Sequence, residues 1–147
     1  GIDLSDKMLD VLNKKKLNAN VNLTTICGSF LDIAFEEKKY DIVLSCYVMH
    51  HFNEEQKKKI YSKIYNCLND NGIFINGDSF SKNRDEENDK LLKAEIIYKE
   101  NNLPFASLHI DVDFSFDHEQ EILSDVGFSK IELIKEWTKS KIYVCKK

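Results

Sequence analysis

A chain of 147 residues with 42% hydrophobic side chains can bury one substantial core and is short for two, so a single domain over residues 1–147 is expected. Its net charge of −4, with Lys and Glu interspersed, leaves no basic face for nucleic acid or an anionic membrane and favours a small-molecule partner. Cys27, Cys46, Cys67 and Cys145 form no CxxC pair, no apolar run nears the ~20 residues of a membrane span, and no signal-like segment opens the chain, which predicts reduced thiols in a cytoplasmic protein.

Gly1 to Asp3 reads as the tail of a strand. Ser5 is placed to cap the helix that follows, Asp6 suits its positive end, and Met8, Leu9 and Leu12 recur at helical spacing as far as Lys14-Lys15-Lys16. The β-branched stretch from Val21 to Cys27 predicts a second strand, stopped by Gly28, with a loop from Ser29 to Lys39. Ile42, Val43 and Leu44 then form an uninterrupted apolar run, the pattern of a central strand buried on both faces. It leads through Ser45 and Cys46 to an aromatic residue and two adjacent histidines, His50 and His51. Ligands of open α/β sheets gather at the carboxyl ends of strands, so this exit is where chemistry is expected. Asn53 and Gln56 are spaced as a capping box for the next helix, whose buried face is Ile60, Ile64 and Leu68 with Tyr61 and Tyr65. Asn69-Asp70-Asn71-Gly72 predicts a left-handed stop before a third strand, Ile73 to Ile75, that ends at Asn76-Gly77-Asp78.

The polar residues from Ser79 to Asn88 predict a mobile surface loop, and Leu91, Leu92, Ile96 and Ile97 a helix running toward Asn101-Asn102. From Leu108 to Phe116 apolar residues alternate strictly with His109, Asp111, Asp113 and Ser115, the period of a half-buried strand. Asp117 and Gln120 are spaced as a second capping box, for a helix ending at Gly127. Lys130 to Trp137 and Lys141 to Cys145 predict a terminal antiparallel hairpin. Adjacent histidines tend to point apart, and zinc needs converging ligands, so no metal site is expected at His50 and His51. The cysteines and most phenylalanines read as core.

Taken in order, these pieces resemble the class I S-adenosylmethionine-dependent methyltransferases over nearly the whole chain. Gly-Ile-Asp-Leu-Ser-Asp-Lys-Met-Leu, from Gly1 to Leu9, resembles the family's second strand and helix start; Cys27 to Asp32 its adenine-edge turn, with Ser29 where an acid often stands; Tyr40 to Phe52 its fourth strand and exit; Leu68 to Phe74 the entry to its fifth; and Gly127 to Glu132 the entry to its reversed hairpin. The resemblance implies a Rossmann-like, doubly wound, mostly parallel α/β sheet with helices on both faces and a C-terminal antiparallel hairpin. It implies S-adenosyl-L-methionine as cofactor, with Asp3 on the ribose and Leu4, Ser29, Phe30, Ser45 and Cys46 also lining the cofactor site; Phe30 would pack on the adenine. His50 and His51 would border the methyl group and the acceptor, one of them as a general base or as a wall of the pocket. The implied reaction is in-line methyl transfer to a small-molecule acceptor, because the strand exit Ser45-Cys46-Tyr47 lacks the Asp/Asn-Pro-Pro-aromatic pattern of nucleic-acid methyltransferases. The glycine-rich loop and the family's first strand have no counterpart in these residues. A βα unit upstream is therefore expected, or a second chain, as in a homodimer, that covers the sheet edges. The alternative is a catalytically silent methyltransferase-like protein acting by association. A nicotinamide-dependent oxidoreductase would use Asp3 in the same way, but the terminal hairpin weighs against it.

Overall fold

A computed structural model describes residues 1–16, 21–102, 111 and 113–147. These form two compact units, Gly1–Phe35 and Glu36–Lys147. Among the described residues, no helix is long and apolar enough to cross a membrane.

In the first unit, β1 (Ile2–Asp3) pairs in parallel with β2 (Ile26–Cys27), Ile2 opposite Ile26 and Asp3 opposite Cys27. Between them runs α1 (Asp6–Lys16), capped as expected: the Met8 amide donates to Ser5 Oγ at 3.3 Å. The second strand is much shorter than the β-branched run from Val21. A ladder is no longer than its partner, and β1 contributes two residues before the chain turns into α1.

The second unit is a four-stranded mixed sheet in the order β3-β4-β6-β5, built from β3 (Tyr40–Cys46), β4 (Leu68–Ser79), β5 (Ser129–Glu136) and β6 (Ser140–Lys146). β3 runs parallel to β4, while β4–β6 and β5–β6 are antiparallel, the last being the expected hairpin. Phe74 of β4 and Tyr143 and Cys145 of β6 are buried under α2 (Glu54–Cys67) and α4 (Phe116–Val126), together with Ile60, Tyr61, Ile64, Ile122 and Leu123. The Phe74 ring lies 5.7 Å from Tyr61, 6.0 Å from Phe128 and 6.3 Å from Tyr143, centroid to centroid. Asn53 and Gln56 cap α2 reciprocally, at 2.9 and 3.1 Å.

Four expectations are corrected. First, β3 is an edge strand of its sheet, with Ile42 57% and Leu44 69% exposed. An apolar run records which side chains can be buried, and within this sheet β3 has one strand neighbour. Second, α2 stops at an extended Leu68 (φ −72°, ψ 141°), and the left-handed residue is Asn71 (φ 94°), inside β4; a left-handed stop does occur where Gly127 (φ 115°) closes α4. Third, α3 (Arg84–Glu100) begins within the expected loop. The Asn83 side chain accepts from the Glu86 amide at 3.0 Å, and Asp85, Glu86 and Glu87 suit the positive end of the helix. Fourth, the expected strand at Leu108–Phe116 is absent where it can be seen. Ser115 makes a single bridge to Ser81 and, in place of Asp117, caps α4 by accepting from the His118 amide at 3.4 Å. An N-cap residue is itself extended, here φ −69° and ψ 154°, so alternation mimics a strand up to the cap. Residues 108–110 and 112 of that stretch, His109 among them, lie outside the described residues.

Candidate functional site

In the first unit, the carboxyl ends of two parallel strands place Asp3 and Leu4 beside Cys27 and Gly28, which lead into Ser29 and Phe30. Asp3 Oδ1 accepts the Ser5 amide at 2.8 Å, its carbonyl accepts the Gly28 amide at 3.0 Å, and the Leu4 carbonyl accepts Cys27 Sγ at 3.5 Å. The half-buried Asp3 carboxylate is thus aimed by the backbone that follows it. Ser29 builds the next turn: its hydroxyl accepts the Leu31 amide at 3.2 Å, and its carbonyl accepts those of Asp32 and Ile33 at 3.1 and 3.0 Å. A Cβ on Gly28 would come within 3.0 Å of Ile33 Cδ1, so the turn packs closely on its own loop.

In the second unit, the carboxyl ends of β3 and β4 carry the remaining candidates. The structure sends Ser45 and Cys46 to opposite faces. Ser45 pairs with Asn76 in the parallel register and shares its face, and Ser45 Oγ and Asn76 Oδ1 are buried without a hydrogen-bond partner among the described residues. Cys46 is exposed, on the face of Ile42 and Leu44. Tyr47 then adopts a left-handed backbone (φ 50°), which an aromatic residue rarely does, and is held by its amide to the Gly77 carbonyl and by its hydroxyl to Ser140 Oγ, both at 2.8 Å. This reverses the chain into a 3-10 turn, Met49–His51.

Asp78, at the end of β4 and 2% exposed, organises that turn. Its Oδ2 accepts the amides of Met49 and His50 at 2.7 and 3.2 Å; its Oδ1 accepts the Ser79 amide at 2.8 Å and meets His50 Nδ1 at 2.6 Å. A carboxylate has only acceptors, so His50 Nδ1 donates to it, which turns Nε2 away from Asp78. That Nε2 lies 3.9 Å from Asp111 Oδ2, and His51 Nδ1 lies 2.9 Å from Asp111 Oδ1. Nearby, Asp113 pairs with Lys90 Nζ at 2.8 Å and with the Ser79 hydroxyl. Burial opposes its ionisation, but these two hydrogen bonds and the charges of Lys90 and His50 hold its carboxyl below the usual aspartate range.

Sequence reasoning located both strand exits and both histidines. It missed the role of Asp78, visible only as the acid after Asn76-Gly77 at a strand end, and the convergence of His50, His51 and Asp111, which joins residues 60 positions apart.

Residues 1–72 match the model of the methyltransferase domain family. The whole chain aligns at 27% identity with the carboxy-S-adenosyl-L-methionine synthase of Helicobacter hepaticus, of which it spans 64%. Among solved structures it superposes over 99% of its length on an O-methyltransferase family 2 protein from Planctomyces limnophilus, at a TM-score of 0.72 and 15% identity, covering 41% of that chain. It superposes over its full length on an S-adenosylmethionine-dependent methyltransferase from Methanosarcina mazei, at 0.70 and 12%, covering 80% of that chain. This is the class I S-adenosylmethionine-dependent methyltransferase fold. The two strand exits described above are the carboxyl ends of parallel strands, where open α/β folds gather functional side chains.

Proposed function

We propose that the chain binds S-adenosyl-L-methionine and transfers its methyl group, by in-line displacement, to a small-molecule acceptor in the cytoplasm. The observation that carries this reading is the backbone-anchored carboxylate of Asp3 beside the Gly28-Ser29 turn, at the ends of two adjacent parallel strands. A carboxylate so fixed can accept from both hydroxyls of a ribose, and the half-buried Phe30, two residues beyond Gly28, is assigned to the adenine. Leu4 and Ser29 are assigned to the same cofactor. When bound, the cofactor supplies a methyl group already activated by a sulfonium, so the protein's work is alignment and exclusion of water. His50 and His51 are assigned to the acceptor, with His50 Nε2, aimed by Asp78, placed to take its proton.

A second reading has the chain consume the cofactor as a substrate, and the match to carboxy-S-adenosyl-L-methionine synthase over the whole chain supports it. Calorimetric titration with S-adenosylhomocysteine tests what the two readings share. Micromolar binding that Asp3→Ala weakens at least about tenfold, the loss of ~1.4 kcal/mol of contact, is the expected result. A folded protein that binds neither this product nor the donor overturns both. Mass spectrometry of the reacted cofactor separates them: a demethylated product supports methyl transfer, a carboxylated one the synthase.

A further inference from the structure

The geometry points to a divalent transition-metal site made by His50, His51 and Asp111 at the carboxyl end of β3. Neither the methyltransferase fold nor the proposed methyl transfer requires one. One ligand atom from each residue can be chosen so that all three lie within 4.8 Å of one another. Metal–ligand bonds of ~2.1 Å at the tetrahedral angle place ligand atoms about 3.4 Å apart, so loading needs movements on the order of 1 Å. Asp111 Oδ1 already lies 2.9 Å from His51 Nδ1, and its Oδ2 lies 3.9 Å from His50 Nε2. The first of these contacts is a hydrogen bond, and a cation entering there would displace its proton to solvent.

Adjacent histidines on a strand would face opposite ways. His50 and His51 instead sit in a 3-10 turn, where successive side chains are about 120° apart, and their ring centroids are 3.9 Å apart. The turn is what lets one carboxylate reach both rings.

A second observation is independent of the cluster. His50 is fastened on its far side, Nδ1 to the buried Asp78 at 2.6 Å, and Asp78 is itself fixed by three backbone amides. A carboxylate behind an imidazole orients the ring, sets its tautomer and raises the basicity of the nitrogen that faces a metal. The buried Asp78 thus fixes the His50 ring with Nε2 on the Asp111 side before any ion arrives. His51 and Asp111 are 36% and 46% exposed in their side chains, which opens a path for entry. Two imidazoles and one carboxylate suit Zn²⁺, Co²⁺, Ni²⁺ or Fe²⁺ better than Mg²⁺ or Ca²⁺, which prefer all-oxygen sets. Three protein ligands leave at least one coordination position open. On the methyl-transfer reading, a further consequence follows: an acceptor oxygen could take that position and be acidified by the cation, in place of proton removal by His50.

The test uses chelator-stripped full chain carrying Cys27→Ser and Cys46→Ser, which removes the exposed thiols as rival ligands, and titrates it calorimetrically with CoCl₂ and ZnCl₂. One ion per chain at micromolar affinity is expected, with visible d–d absorption of Co²⁺ showing nitrogen and oxygen ligation. His51→Gln and Asp111→Asn change exposed side chains and should leave the fold intact while weakening binding at least tenfold. Asp78→Asn should weaken it by ~10–100-fold, as loss of an outer-shell carboxylate does. Absence of binding up to millimolar metal overturns the proposal, as does binding of equal strength in wild type, His51→Gln and Asp111→Asn. Neither readout involves S-adenosylhomocysteine, so failure here is distinguishable from failure of the cofactor reading.

Discussion

The ion pair under the sheet offers the sharpest test of how this fold is held. Lys57 Nζ of α2 lies 2.6 Å from Glu119 Oε2 of α4, with the two side chains 2% and 0% exposed. Glu119 Oε1 accepts from the hydroxyls of Tyr61 and, at 3.1 Å, Tyr143; Tyr143 accepts from Asn76 Nδ2 at 3.1 Å, and Lys57 Nζ stands 4.2 Å from the Phe114 ring centroid. Lys57→Met leaves a buried carboxylate without its cation, and Glu119→Gln leaves a buried ammonium without its anion. Each should cost about 3–5 kcal/mol, a large part of the ~5–15 kcal/mol that stabilises a typical domain. Combining them removes both charges, and the side-chain amide carbonyl introduced by Glu119→Gln would still accept from the two tyrosines. The double variant should therefore lose less than about 4 kcal/mol, against ~6–10 if the single losses added. Urea titrations followed by circular dichroism give all four corners of the cycle. A double variant as unstable as the sum of the singles would refute the claim that the charges are desolvated and mutually dependent.

Two further predictions concern titratable groups. Burial, reinforced by the charge of Glu119, pushes the Cys145 thiol up to about 12, and burial also raises Cys67, whereas Cys27 and Cys46 are exposed. Ellman's reagent should label two thiols in the native chain and four in denaturant; four equivalent native thiols would contradict this packing. Because the folded state holds Cys145 and Cys67 protonated, they cost no stability below the usual thiol range and destabilise the fold as pH rises through it, where the unfolded thiols ionise first. Asp113 works in the opposite direction: its lowered folded-state pKa contributes stability that is complete above the ordinary aspartate range and lost as pH falls through the folded value. Acid titration of wild type and Asp113→Asn should show this component missing in the variant, and identical acid limbs would exclude the pairing with Lys90 and Ser79 as its source.

Much of the architecture was decided by residues close together in the chain. The Asn53/Gln56 capping box, the apolar face of α2, the left-handed Gly127 and the terminal hairpin were all legible because turn chemistry and side-chain period act over a few residues. The same locality explains the errors. Alternation before Ser115 is shared by strands and extended N-caps, and an apolar run such as Ile42–Leu44 cannot report how many neighbours its strand will have. Apart from the strand expected at Leu108–Phe116, the sequence by itself determined the element order and the type of fold, and it marked Asp3, His50 and His51 as residues worth watching. Only the tertiary structure decided what surrounds them: that Asp78 and Asp111 close on the histidines from opposite sides, and that Lys57 meets Glu119 under the sheet. Those pairings join positions 28 to 62 residues apart. They arise from parallel pairing and helix packing, forces that no short-range pattern along the chain records.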